Sequence, residues 1–132
     1  MKKILLLILF LSSCFSQNIS WQSSYEKALI QAAKEKKNLM IFIASKKSKK
    51  SNKILKEYFL NQDYIEYINK HFISILVTVE YKTSYPIELF YTTQFPSLFF
   101  ASYQDESFLT HPIYEFKSIE DFKKILYSVD YK

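Results

Sequence analysis

Between Ser23 and Lys37 the residues Tyr25, Ala28, Leu29, Ala32 and Ala33 recur at i, i+3, i+4, i+7 and i+8, which is one face of a helix. Ser23 and Glu26 have the spacing of a capping box, and Lys34, Lys36 and Lys37 crowd the last turn, where the helix dipole favours cations. The pattern then changes. Leu39 to Ile43 is an apolar run without polar alternation, too short for a helix and suited to a central strand covered on both faces. Beyond the polar link Ala44 to Lys47, a helix from about Ser48 to Leu60 places Ser51, Ile54, Leu55, Tyr58 and Phe59 on one face. Asp63 and Glu66 form a second capping-box pair, opening a short helix that buries Ile65 and Ile68. Phe72 to Val79 is rich in β-branched residues and reads as a strand. Pro86 suits the first turn of a short helix through Phe90, and Ser97 to Ser102 is a third strand. The polar turn Gln104 to Ser107 leads into a fourth strand, Phe108 to Glu115, which Pro112 demotes to an edge. Ser118 caps a closing helix with Phe122, Ile125, Leu126 and Val129 inward. The alternation predicts an α/β fold, a central mixed four-stranded sheet with helices on both faces.

Composition narrows the functions such a domain can have. Of 132 residues, 48% are hydrophobic and 18% aromatic, so burial can offset the entropy of ordering, and one compact domain is the limit of the length. Glycine is absent, which excludes the phosphate cradles in which backbone must approach phosphate without a Cβ. All 18 basic residues are lysine, so the bidentate guanidinium contacts of base readout are missing and nucleic acid is not an expected partner.

The front of the chain has the pattern of an export signal over residues 1–16. Lys2 and Lys3 precede the apolar run Ile4 to Leu11, which at eight residues is far short of the roughly 20 that span a bilayer. Leu11-Ser12-Ser13-Cys14 resembles the bacterial lipobox, which implies cleavage before Cys14 and lipidation of its sulfur. Ordinary cleavage after Ser16, discarding Cys14, is the competing reading. Either one places the mature domain outside the cytoplasm, in the periplasm or cell envelope or secreted. Removing Lys2 and Lys3 lowers the net charge from +5 to +3, so global charge says little about partners. Residues 17–22, around Trp21, are expected to be a tether and first edge segment, and 23–132 the folded domain.

Taken with Trp21, Tyr25-Glu26-Lys27-Ala28-Leu29, the strand at Leu39 and Phe95-Pro96-Ser97 before a strand, the element order resembles the thioredoxin-like superfamily, above all its exported members. The resemblance covers about Ile19 to Val129. It implies a Cys-x-x-Cys loop at the start of the helix after the first central strand, where the dipole makes a thiol nucleophilic. The matching stretch here is Ser45-Lys46-Lys47-Ser48, with serine at both cysteine positions, and the chain has no thiol beyond Cys14. A serine hydroxyl has no disulfide couple, so thiol exchange is excluded at Ser45 and Ser48. Two roles remain for Ser45: a nucleophile with Lys46 or Lys47 as base, or simply the cap of the second helix.

Phe95-Pro96 falls where the family holds a cis-proline beside the redox loop. Only about 5% of X-Pro bonds in folded proteins are cis, so that geometry is implied by the resemblance alone. The surface formed by Lys46, Lys47, Phe95 and Pro96 is expected to bind an envelope protein or an extended peptide. Lys46, Lys47, Lys49, Lys50, Lys53 and Lys56 form a dense basic run suited to an acidic partner or anionic lipid headgroups, or to a solvated helix face. His71 and His111 stand far apart, and neither a metal nor a cofactor is expected. The aromatic run Tyr58, Phe59, Tyr64, Tyr67 and Phe72 reads as core with a tyrosine rim. The functional expectation is a non-catalytic, protein-binding domain. A periplasmic disulfide oxidoreductase or redox accessory protein is the alternative, and a hydrolase using Ser45 a further one.

Overall fold

The computed structural model describes residues 17–81 and 85–130. The expected signal and Cys14 lie outside them. In chain order the elements are β1 (Trp21–Gln22), α1 (Tyr25–Glu35), β2 (Asn38–Ala44), α2 (Lys49–Glu57), α3 (Gln62–His71), β3 (Phe72–Thr78), β4 (Ser97–Ala101) and α4 (Ile119–Asp130). The sheet order is β1-β3-β2-β4, with β1 and β2 parallel to β3 and β4 antiparallel to β2. The protein is an α/β domain with a mixed four-stranded sheet, as the hydrophobic pattern predicts.

The period of two along β2 divides the core. Leu39, Ile41 and Ile43 face one side, where they meet Tyr25, Ala28 and Ala32 of α1 and Phe90. Met40, Phe42 and Ala44 face the other, against α2, α3 and α4. That second side is aromatic: Phe59 packs against Trp21, Phe42 and Phe122 at centroid distances of 5.3, 4.8 and 5.7 Å, edge to face. The tyrosines of the predicted aromatic run join it, Tyr64 donating its hydroxyl to the Tyr58 carbonyl.

Several local expectations are corrected. The cap of α1 is Ser24, whose Oγ accepts from the Lys27 N–H at 3.3 Å, one residue beyond the predicted Ser23. Asn61 caps α3, not Asp63, its side chain accepting from the Asp63 N–H at 2.9 Å. Pro86 opens only one turn, closed by the Leu89 and Phe90 N–H groups on its carbonyl at 3.0 and 3.1 Å, because three to four residues supply too few bonds to propagate a helix. The predicted fourth strand, Phe108 to Glu115, is not a continuous strand; it pairs with β4 through the isolated bridges Ala101↔Phe108 and Leu98↔Ile113. Pro112 has no N–H to donate, so the ladder breaks between them. The fourth strand is instead β1, formed by Trp21 and Gln22 of the expected edge segment. Ser118 does cap α4, accepting from the Asp121 N–H at 3.1 Å.

Candidate functional site

Register brings the site together. β2 and β3 are parallel and end side by side, with Ala44 opposite Thr78, while antiparallel β4 begins where β2 ends, with Ser97 opposite Ile43. The residues after β2, after β3 and before β4 therefore converge at one edge of the sheet. These are Ser45–Ser48, Glu80 and Phe95–Pro96, and the Phe95–Pro96 bond is cis.

Within this edge the two serines have separate tasks. Ser48, not Ser45, is the N-cap of α2, its Oγ accepting from the Ser51 N–H at 3.1 Å. A cap must sit directly before the first helical residue for its oxygen to reach the N–H groups of the first turn, and Ser45 is three residues too early. Ser48 also donates its hydroxyl to the Phe95 carbonyl at 3.2 Å, tying the loop to the segment before β4. Ser45 is 5% exposed, and its hydroxyl donates to Glu80 Oε2 at 2.7 Å. The other oxygen of the same carboxylate accepts from the Lys46 N–H at 2.6 Å, and Ser45 Oγ accepts from the Lys47 N–H at 3.3 Å. The Ser45 N–H reaches Ser51 Oγ at 3.4 Å.

Glu80 is the residue of this candidate site that sequence reasoning missed; an isolated acid just past an apolar strand carries no spacing signal. The hydroxyl of Ser45 and then the amide of Lys46 hold its carboxyl below the usual carboxylate range. A carboxylate so stabilised is a poor base, and its geometry locks Ser45 as a donor instead of activating it as a nucleophile. Lys46 and Lys47 are exposed, and the Lys46 ammonium lies 4.1 Å from the centre of the Tyr81 ring. Phe95 is half-buried and Pro96 buried, so what this edge offers to a partner is lysine, aromatic surface and backbone. His71 stacks on Tyr67 at 4.2 Å, within the tyrosine rim, and His111 is exposed. Among the described residues no three His, Cys, Asp or Glu side chains gather as a metal site.

No protein-family model matches the chain, and no curated protein matches its sequence. Solved structures do match. A DsbH oxidoreductase superposes with a TM-score of 0.72 at 15% identity, covering 89% of this chain and 88% of its own. A thioredoxin from Thermus thermophilus gives 0.71 at 14% identity, covering 86% and 88%. A candidate disulphide-isomerase from Bacteroides thetaiotaomicron gives 0.69 at 18% identity, covering 90% and 99%. The fold is thioredoxin-like. Coverage near 90% on both sides makes the likeness one of the whole domain, while identities below a fifth carry the architecture and leave the chemistry to the residues. In this thioredoxin-like domain those residues are serines, a carboxylate and lysines around a cis-proline.

Proposed function

We propose that this is a thioredoxin-fold protein of the bacterial cell envelope, exported and lipid-anchored through Cys14, that binds an extended segment of another protein across Ser45–Ser48 and Phe95–Pro96 without redox chemistry. The observation that carries this reading is the bonding of Ser45 and Ser48, the two serines that the resemblance sets against Cys-x-x-Cys. Ser45 is spent on Glu80 and Ser48 on the Phe95 carbonyl, so both hydroxyls hold the loop in place and neither is poised to attack. A fixed loop beside a cis-proline, rimmed by exposed Lys46 and Lys47, has the makings of a preorganised binding edge for a chain with acidic residues. The alternative, a disulfide oxidoreductase or accessory, draws on the names of the structural neighbours, two of which are an oxidoreductase and a candidate disulphide-isomerase.

Two measurements separate them. Reduction of insulin disulfides by the purified protein is expected to be undetectable; turnover above background would reverse the assignment. A photocrosslinker at Lys47 is expected to capture a specific envelope protein, one at Ile30, exposed on α1, to capture nothing comparable, and Phe95→Ala to diminish the first product. Equal capture from both positions would move the interface elsewhere.

A further inference from the structure

The segment that joins the domain to Cys14 is held by two side-chain amides on α3. Gln62 takes both backbone groups of Gln17, accepting from its N–H at 3.0 Å and donating to its carbonyl at 2.9 Å. Asn69, two turns further along the same helix face, accepts from the Ser20 N–H at 3.0 Å and donates to the Asn18 carbonyl at 2.9 Å. These four bonds do for residues 17–20 what a neighbouring strand would do. Gln62 Nε2 also reaches the Leu60 carbonyl at 3.3 Å, so the described chain begins beside Leu60, at the far end of α2 from Ser45–Ser48. Leu60 is 55% exposed.

Cys14 stands three positions before Gln17, with only two residues between them, a reach of at most about 11 Å when extended. Along α2, Lys49, Lys53 and Lys56 stand at i, i+4 and i+7, opposite the inward residues Ser51, Ile54 and Tyr58. The single acid on α2 is Glu57, 4.0 Å from Lys53. A row of cations thus runs along the outer face of the helix and ends at an exposed leucine next to the point where the tether emerges. We infer that this outer face of α2, from Lys49 to Leu60, docks on an anionic lipid surface, the same one that holds the N-terminus. The inference rests on the proposed lipidation of Cys14; charge complementarity and the shortness of the tether then leave this face within reach of the headgroups.

The full-length lipidated protein, reconstituted in phosphatidylcholine vesicles with or without phosphatidylglycerol, tests it. Once Cys14 is acylated, Leu60→Cys introduces the one free thiol, which takes a polarity-sensitive dye. Acrylamide quenching of that dye is expected to fall roughly threefold in the anionic vesicles, to recover at high salt, and to recover when Lys49, Lys53 and Lys56 are replaced by Ser. A dye at Gln104→Cys, in an exposed turn, should be quenched equally in both. Intact mass without an acyl chain would remove the anchor and the inference together. Acylated protein with identical quenching at position 60 in both vesicles would overturn the docking face alone, as would protection that appears only on adding an acidic peptide.

Discussion

Without glycine, positions that favour a left-handed backbone must be filled by other residues. Lys36, the C-cap of α1, has φ 55°, and Glu106 has φ 61°. A Cβ in that region costs roughly 1–2 kcal/mol, while glycine costs the unfolded chain about 0.5–1 kcal/mol in entropy. Lys36→Gly is therefore expected to be stabilising by up to about 1 kcal/mol, read as a higher urea midpoint at unchanged m value. Ser74 offers a second single-atom test. Its buried Oγ lacks a hydrogen-bond partner among the described residues, and an unsatisfied buried hydroxyl costs about 1–3 kcal/mol, so Ser74→Ala should raise the unfolding free energy or leave it unchanged, read as a urea midpoint that does not fall. Ser48→Ala works in the other direction, removing a cap at about 1 kcal/mol together with the tie to Phe95.

At the scale of elements, what was legible in the sequence was whatever rests on periodicity. The unbroken apolar run Leu39 through Ile43 marks a strand covered on both faces, and the i, i+3, i+4, i+7 pattern of Ser51, Ile54, Leu55 and Tyr58 marks the inner face of α2. Caps were legible only to within one to three residues: Ser23 and Ser24 are adjacent and chemically equal, so which one caps depends on where the chain leaves β1, and the cap of α2 is Ser48 and not Ser45. The limits of the edge strand at Phe108 were not legible, because Pro112 tells that pairing is impaired but not that two bridges survive on either side. The cis-proline was legible through resemblance, and Glu80 was illegible because its partners lie 34 and 35 residues away. The aromatic side of the sheet carries the largest packing stake. Phe122 of α4 is 1% exposed and meets Tyr58, Phe59, Tyr64 and Phe116, so Phe122→Ala should cost about 3–5 kcal/mol in denaturant unfolding, against about 1 kcal/mol for Tyr127→Ala on the same helix, exposed but edge-to-face with Tyr67.

For the whole molecule the decisive feature is that three separate segments meet at one sheet edge, and the charge placed there sets what chemistry the edge can support. Replacing Ser45 and Ser48 with cysteine should give an intramolecular disulfide under mild oxidation, since the turn before α2, closed by the Ser48 N–H on the Ser45 carbonyl at 3.1 Å, can bring the two Cβ atoms near the roughly 3.8 Å a bridge needs. Reduced, however, the thiol at position 45 would face Glu80, whose carboxylate lies 2.7 Å from the present Ser45 oxygen. A full negative charge at that distance outweighs the half charge of the α2 N-terminus, which acts in the opposite sense over its first turn. The pKa of that thiol is therefore expected to lie above the ordinary thiol value near 8.5, and the pair to exchange slowly. Adding Glu80→Gln removes the charge and keeps an acceptor, so alkylation of the position-45 thiol by iodoacetamide should shift to lower pH in the triple variant than in the double. In the wild-type protein the same carboxylate makes the loop sensitive to acid. Because its pKa is lowered on folding, Glu80 stabilises the loop fully above the ordinary carboxylate value near 4.5, and that contribution is lost as the pH falls through the lowered one. The Lys46 amide resonance should accordingly titrate below pH 4.5 in the wild type and stay flat in Glu80→Gln; a flat wild-type profile, or alkylation curves that coincide in the double and triple variants, would mean that Glu80 does not govern this edge.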